Sequence, residues 1–286
     1  MADLNQEMRI PKTVKLFING EFPRTESGRS FPVHRTKDKS LYAHVCLASR
    51  KDFRNSVSAA REAQKGWSGK TAYNRSQILY RMAEMAEAKR AEFLEILSDT
   101  AGLKAQDATK AFEEMLDAFV YYAGFADKYQ QVIGAVNPVA GPHHNFTTPE
   151  PMGVIGYAAD EKFNLGRLAA AISAVICSGN SIVVIMQRKG SAILAPLAEV
   201  FATSDLPKGV VNLLSGDLTE LAPHFGSHME LQGLCYEGGD EKLHAEIRKS
   251  AVENMKRVAP RLRPELCLEN ILSFVEYKTV WHPIGS

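Results

Sequence analysis

The sequence predicts an α/β fold, a doubly wound parallel sheet of Rossmann-like type with helices on both faces and a small β flap outside it. Three observations carry this reading. From Pro151 onward, short buried apolar runs such as PMGVIGYAA and SIVVIM alternate with longer helical stretches. Residues 51–129 switch to a helical period, with Ile78, Leu79, Met82, Met85 and Ala86, then Phe93, Ile96 and Leu97, at one-face spacings. Residues 129–150 set β-branched residues among Gly, Pro and Asn, the mark of a twisted hairpin or flap.

Taken in order, KLFING is a short alternating run that stops at Asn19-Gly20, a strong turn dipeptide, and SGRSFPVHR and YAHVCLA follow as further strands. Three amphipathic helices come next: one centred on FRNSVSAAREAQKGW, one across residues 75–102 closed by Gly102, and one through AFEEMLDAFVYYAGFADKY. Their Met-rich stripe has the spacing of plain core. After the hairpin, the helix LGRLAAAISAVIC ends at Gly179-Asn180. The strand SIVVIM, the helix ILAPLAEVFATS, the strand of LPKGVVNLLSG, the short helix LAPHFG, the strand of LQGLCYEGG and the helix DEKLHAEIRKSAVEN complete the alternation. Pro260 and Pro264 bracket the basic run KRVAPRLR and argue against a helix through it.

Composition narrows the function classes. A chain of 286 residues with 45% apolar content can bury a full core, and 34 basic against 33 acidic residues leave a net charge of +1. Neither nucleic acid nor an anionic membrane is favoured by that balance. Cys46, Cys177, Cys235 and Cys267 lack ligand spacing and read as reduced core thiols, which indicates a cytoplasmic setting. MADLNQEMRI has no leader pattern, and no stretch reaches the ~18 apolar residues needed to span a bilayer. His143 and His144, next to Gly-Pro and without a Cys or carboxylate partner, read as a solvated hairpin tip rather than a metal site. Trp67 reads as core, and Trp281, on a terminal strand, as core or partner anchor. No Gly-x-Gly-x-x-Gly follows the first buried strand and no Walker-type loop occurs, so the two usual phosphate loops are missing.

The order LFINGEF, AAREAQKGW, EPMGVIG, SGNSIVV, LPKGVVNLLSG, YEGG, NMKRV and EYKTVW resembles the aldehyde dehydrogenase superfamily over nearly the whole chain. RKDFRNSV, ILYRMAE, TSDLPKGVVN and the ending at Trp281, Pro283 and Gly285 narrow the resemblance to the cysteine-less half of tandem, two-domain members. The resemblance implies a dinucleotide-binding-like domain from residues 1–128 and 151–270, with an oligomerisation flap from 129–150 and 271–286. No counterpart of the family's catalytic domain lies between about residue 262 and the terminal segment.

Where the family's motifs are degraded, so is the chemistry they imply. The oxyanion-donating Asn run is replaced by Asp160, Glu161, Lys162 and Phe163; the ribose-holding Lys-Pro pair and its acid fall on Ile185, Met186 and Arg188; and the Gly-Ser of the pyrophosphate turn is Gly238-Gly239. Arg261, Leu262, Arg263 and Pro264 stand where the family has its general-base Glu run, and a guanidinium accepts no proton. Cys235 and Cys267 read as structural thiols, so no catalytic residue is assigned. Lys162, Gly216, Gly238 and Gly239 remain as a degenerate cofactor set, implying weak NAD(P) binding or none.

The resemblance also implies a partner. In the family the terminal strand adds to the edge of another subunit's catalytic-domain sheet, which is β-augmentation. Phe274, Val275, Tyr277, Thr279 and Trp281 are the candidate partner-binding residues. The expected role is a non-catalytic subunit of a full-length, NAD(P)-dependent aldehyde dehydrogenase, with self-association through the flap as the other assembly. Two alternatives remain: one half of a split oxidoreductase, and a stand-alone dinucleotide-binding module.

Overall fold

A computed structural model describes residues 12–159 and 161–285. Its centre is a five-stranded parallel sheet of β6 (Val154–Ala158), β7 (Ser181–Met186), β8 (Val211–Ser215), β9 (Gly233–Tyr236) and β10 (Arg257–Ala259), in the order β10-β9-β6-β7-β8. The chain winds outward one way from β6 and then returns to the other side of it, so strand order reverses between β6 and β9. This is the doubly wound pattern, and the reversal leaves a crevice at the carboxyl ends of those two strands.

Alternation along the strands builds a core on each face. Ile155, Tyr157, Ile182, Val184 and Leu213 belong to one buried cluster, with α2 (Ala72–Glu87), α3 (Arg90–Ala101), α4 (Ala105–Phe125), α6 (Leu165–Cys177) and α7 (Leu194–Thr203). Val154, Ala158, Val183, Ile185 and Leu214 belong to the other, with α1 (Arg50–Ser68), α8 (Leu218–Ser227) and α9 (Glu241–Val252). Being packed between the sheet and α4, α6 is apolar on nearly every side. Gly166 permits the approach, since a Cβ there would lie 2.6 Å from Glu114 Cβ. Three donors satisfy the carbonyls at its end: Trp67 Nε1 to Ile176 O at 2.9 Å, Arg75 Nε to Cys177 O at 3.1 Å and Tyr129 Oη to Ser178 O at 3.3 Å. Trp67 is thus a core residue with its polar atom paired.

The lead-in forms a second sheet of β1 (Lys12–Val14), β3 (Leu41–Cys46) and β2 (Ser30–His34). Asn19 and Gly20, at φ 54° and 71°, make the expected tight turn. Just before it, Phe17 exchanges hydrogen bonds with Leu213 at 2.9 and 2.8 Å, which covers the open edge of β8.

Ser49 caps α1 through a capping box with Asp52, and Gly102 closes α3 at φ 71°. The single helix expected over residues 75–102 is two. Lys89, at φ −107° and ψ 12°, leaves the helical region, and its ammonium pairs with Glu92 on α3 and Glu199 on α7.

Residues 129–150 begin with a short helix, α5 (Tyr129–Ile133), before the expected extended structure. There β4 (Ala135–Asn137) and β5 (His143–Pro151) pair antiparallel, and β11 (Val275–Pro283) pairs with β5 from Val275↔Pro151 to Pro283↔His143. β11 is one edge of this flap sheet and the short β4 the other. His143 and His144 fall on opposite faces of β5, beside Trp281 and Phe146 respectively. No cluster of three metal-ligating side chains occurs among the described residues, and no helix among them is long and apolar enough to cross a membrane.

Candidate functional site

The crevice between β6 and β9 is where a doubly wound sheet presents a ligand site, and here the chain's own side chains occupy it. β9 ends in Tyr236, and Glu237 follows with its side chain only 1% exposed. Arg167, on the first turns of α6, donates through Nε to Glu237 Oε2 at 2.6 Å and through Nη2 to Leu262 O at 2.6 Å. Leu262 N–H donates to Glu237 Oε1 at 2.8 Å, and the Cys235 thiol approaches the same oxygen at 3.6 Å. Both carboxylate oxygens are therefore used. The network pins the segment after β10 across the reversal point.

Beside it, Arg261 Nη2 donates to Gly238 O at 2.7 Å and to Glu241 at 3.0 Å. Gly238 is required by packing, since a Cβ would lie 2.3 Å from Tyr236 Oη. At the amino end of α9 the Asp240 carboxylate accepts from Lys242 N at 2.9 Å and Leu243 N at 3.1 Å. The helix is thus capped from within, and its first amides are spent on a carboxylate.

The sequence-predicted set lies along one edge but does not converge. Lys162 is exposed on the loop between β6 and α6; Gly238 and Gly239 follow β9; Gly216 follows β8, at the far side of the sheet, where a Cβ would meet Leu221 Cδ1 at 2.9 Å. Phe163 turns to Gly190, whose Cβ would sit 2.2 Å from its ring, and so closes the loop end between β6 and β7. Ile185 and Met186 are fully within β7, and Arg188 stacks over Phe31 at 5.1 Å. Asp160 lies outside the described residues. This donor set fits a dinucleotide poorly: at the amino end of α9 the Asp240 carboxylate takes the Lys242 and Leu243 amides, and Arg261 Nη2 is already bonded to Gly238 O and Glu241.

Neither candidate thiol is set up as a nucleophile. Cys235 is buried in β9, and burial together with the Glu237 charge pushes it well above the usual thiol range. Cys267 is raised as well, chiefly by burial.

Of the terminal residues, Phe274 and Val275 are fully buried in this chain's own core, so they offer a partner no side-chain surface. Their carbonyls bind Asn180 Nδ2 at 2.7 Å and Arg257 Nη1 at 2.8 Å, which roots the flap. Tyr277, Thr279 and Trp281 follow Val275 on one face of β11, beyond the point where the strand leaves the core, with Tyr277 54% and Trp281 59% exposed, and Thr279 hydrogen-bonds Thr147 at 2.9 Å.

Sequence reasoning passed over Arg167 and Glu237. The signal was there: each is a lone charge within an otherwise apolar element, LGRLAAAISAVIC and LCYEGG, and such charges are buried only in pairs.

Fold and crevice together define the class, a nucleotide-binding-type α/β domain with an attached flap. The model of the Aldehyde dehydrogenase family matches residues 22–262, and the chain belongs to that family. It is 30% identical over 274 residues to the mitochondrial benzaldehyde dehydrogenase of Antirrhinum majus, covering 91% of this chain and 49% of that protein. It is 30% identical over 263 residues to cytosolic 10-formyltetrahydrofolate dehydrogenase of Xenopus laevis, covering 90% and 29%. Among solved structures, the NAD+ complex of an aldehyde dehydrogenase from Bacillus cereus superposes with a TM-score of 0.81 at 26% identity, covering 87% of this chain and 50% of that one. The chain thus spans half or less of the length of these relatives.

Proposed function

We propose that this chain is a non-catalytic family member that acts as a structural or regulatory subunit, docking through its flap and β11 onto a complete NAD(P)-dependent aldehyde dehydrogenase. One contrast carries the reading. The crevice at the carboxyl edge is filled by Arg167, Glu237 and Arg261, while β11 keeps an open edge flanked by exposed Tyr277 and Trp281. An unpaired apolar edge strand is an aggregation hazard unless a partner covers it, and strand addition uses main-chain hydrogen bonds for affinity. The dehydrogenase names of the relatives support the class of partner. The free thiols Cys46, Cys177, Cys235 and Cys267 fit a reducing, cytoplasmic setting.

The test is co-expression with a full-length aldehyde dehydrogenase, followed by size-exclusion chromatography with light scattering. A hetero-oligomer that Trp281→Ala weakens is the expected result. A stable monomer that ignores the full-length enzyme, or a homo-oligomer that excludes it, overturns the proposal. Calorimetry with NAD addresses the crevice separately: no saturable heat is expected, and micromolar affinity would restore the dinucleotide-binding reading.

A further inference from the structure

The open edge of β11 has a definite phase. The strand pairs with β5 from Val275↔Pro151 to Pro283↔His143, and two bonds outside that ladder fix which of its residues face β5. Ile284 N–H donates to Pro142 O at 2.9 Å just past the strand end, and Pro149 O, opposite Tyr277, is taken on its far side by Gln130 Nε2 at 3.3 Å. Hydrogen bonding alternates along an antiparallel pair. Glu276, Lys278, Val280 and His282 therefore bond inward to β5, while Val275, Tyr277, Thr279 and Trp281 turn their N–H and C=O outward. At the root, Val275 O is already held by Arg257 Nη1 at 2.8 Å; at the tip, Pro283 brings no N–H. The usable edge is Tyr277, Thr279 and Trp281, and its midpoint is Thr279.

That window is complementary to itself. We propose that two copies of this chain pair edge to edge through β11, antiparallel, about a two-fold axis at Thr279. Thr279 then exchanges both of its outward bonds with Thr279 of the second copy, and Tyr277 exchanges both with Trp281 of the second copy. The ends agree as well: Pro283, which lacks a donor, arrives opposite Val275, whose carbonyl needs none. On one face each Tyr277 lies beside a Trp281, an aromatic cross-strand pair, with the two threonines between them. On the other face Glu276 meets His282, and Lys278 meets Val280, its charge being answered within the chain by Glu150 at 3.3 Å. Such an isologous contact closes at two copies and joins the two three-stranded flap sheets into one, so no displayed β11 edge is left to aggregate. The paired edge is the one assigned above to the enzyme, so the dimer masks it until an enzyme displaces the second copy; only this masking role rests on the subunit reading.

Light scattering on the full chain alone, at rising concentration, is expected to show a dimer. Thr279→Pro should hold it monomeric, because the lost N–H points out of the sheet and the pairing with β5 is spared. Register is read by cysteine cross-linking in a Cys267→Ser background, which removes the accessible native thiol. Residues paired across the axis stand about 5.5 Å apart at Cα, within disulfide reach, so Thr279→Cys alone gives a covalent dimer under mild oxidation. Tyr277→Cys alone gives none, its two copies lying more than about 13 Å apart, but it cross-links with Trp281→Cys in a mixture. A chain that stays monomeric, or that cross-links as readily at 277 as at 279, overturns the pairing. A dimer of this register that a full-length aldehyde dehydrogenase never displaces supports the pairing and counts against the subunit reading alone.

Discussion

Arg167 and Glu237 face each other across the reversal of the sheet at 2.6 Å, the carboxylate buried and the guanidinium 29% exposed. Leu262 closes the ring from both sides: its N–H donates to Glu237 and its C=O accepts from Arg167. Removing only the cation would strand a buried negative charge. Arg167→Met is expected to lower stability by about 3–5 kcal/mol, whereas Glu237→Gln combined with Arg167→Met loses distinctly less. Urea denaturation of the two variants checks this, and equal losses would show that the pair is not coupled.

The terminal segment divides into an anchor and a displayed strand, and truncation separates them. Phe274→Ala should cost about 3–5 kcal/mol, as for a fully buried phenylalanine. Trp281→Ala should change the stability of the isolated chain by no more than about 0.5 kcal/mol, since its ring is largely in solvent. A large loss for Trp281→Ala in chemical denaturation would mean that the ring packs within the chain.

Acid should weaken the fold through His228. Its pKa is pushed below the ordinary 6.5, first by burial, and its Nδ1 accepts a hydrogen bond from Glu230 N–H at 3.3 Å, which a protonated ring cannot do. The unfolded chain therefore takes up the proton before the folded one does. Stability contributed by the neutral ring is whole above the unfolded value and is lost as pH falls through it toward the lower folded value. Melting temperature measured from neutral pH down to about 5 should drop less steeply in His228→Gln than in the parent, the window in which histidine changes charge.

Thiol chemistry gives an independent reading of the core. Cys177 is completely buried, with its pKa pushed up to about 12, and Cys235 is buried and raised also. Cys267, only partly buried, is the accessible one. Mass spectrometry after brief native alkylation should find label on Cys267 first, and on Cys177 and Cys235 only after denaturation. Prompt labelling of Cys235 would point to an activated thiol.

Most of the fold was written in local pattern. Alternation marked β6 through β9, Asn19-Gly20 marked a turn, and Gly102 marked a helix end, because each reflects a backbone requirement that a residue type meets by itself. The site was less legible. Gly238 and Gly239 drew notice through likeness to a phosphate turn, but what fills the crevice is set by Arg167, 70 residues before Glu237. Periodicity cannot report such a pairing; only a charge without local use hints at it. The break at Lys89 left no mark in the pattern either, since neither Gly nor Pro stands between Ile78 and Leu97. The burial of Phe274 and Val275 was masked by their continuity with a strand that is otherwise exposed.

One small clamp has a consequence for how this architecture tolerates change. Asn270 binds Arg263 N–H through Oδ1 at 2.9 Å, and its amide reaches Tyr122 Oη at 3.1 Å and Glu265 O at 3.2 Å, so the link between β10 and the flap is folded back on itself and tied to α4. A link held this way fixes how the flap sits against the sheet, so a folded module spliced into it is tolerated only where it leaves the Asn270 bonds to Arg263 and Glu265 intact.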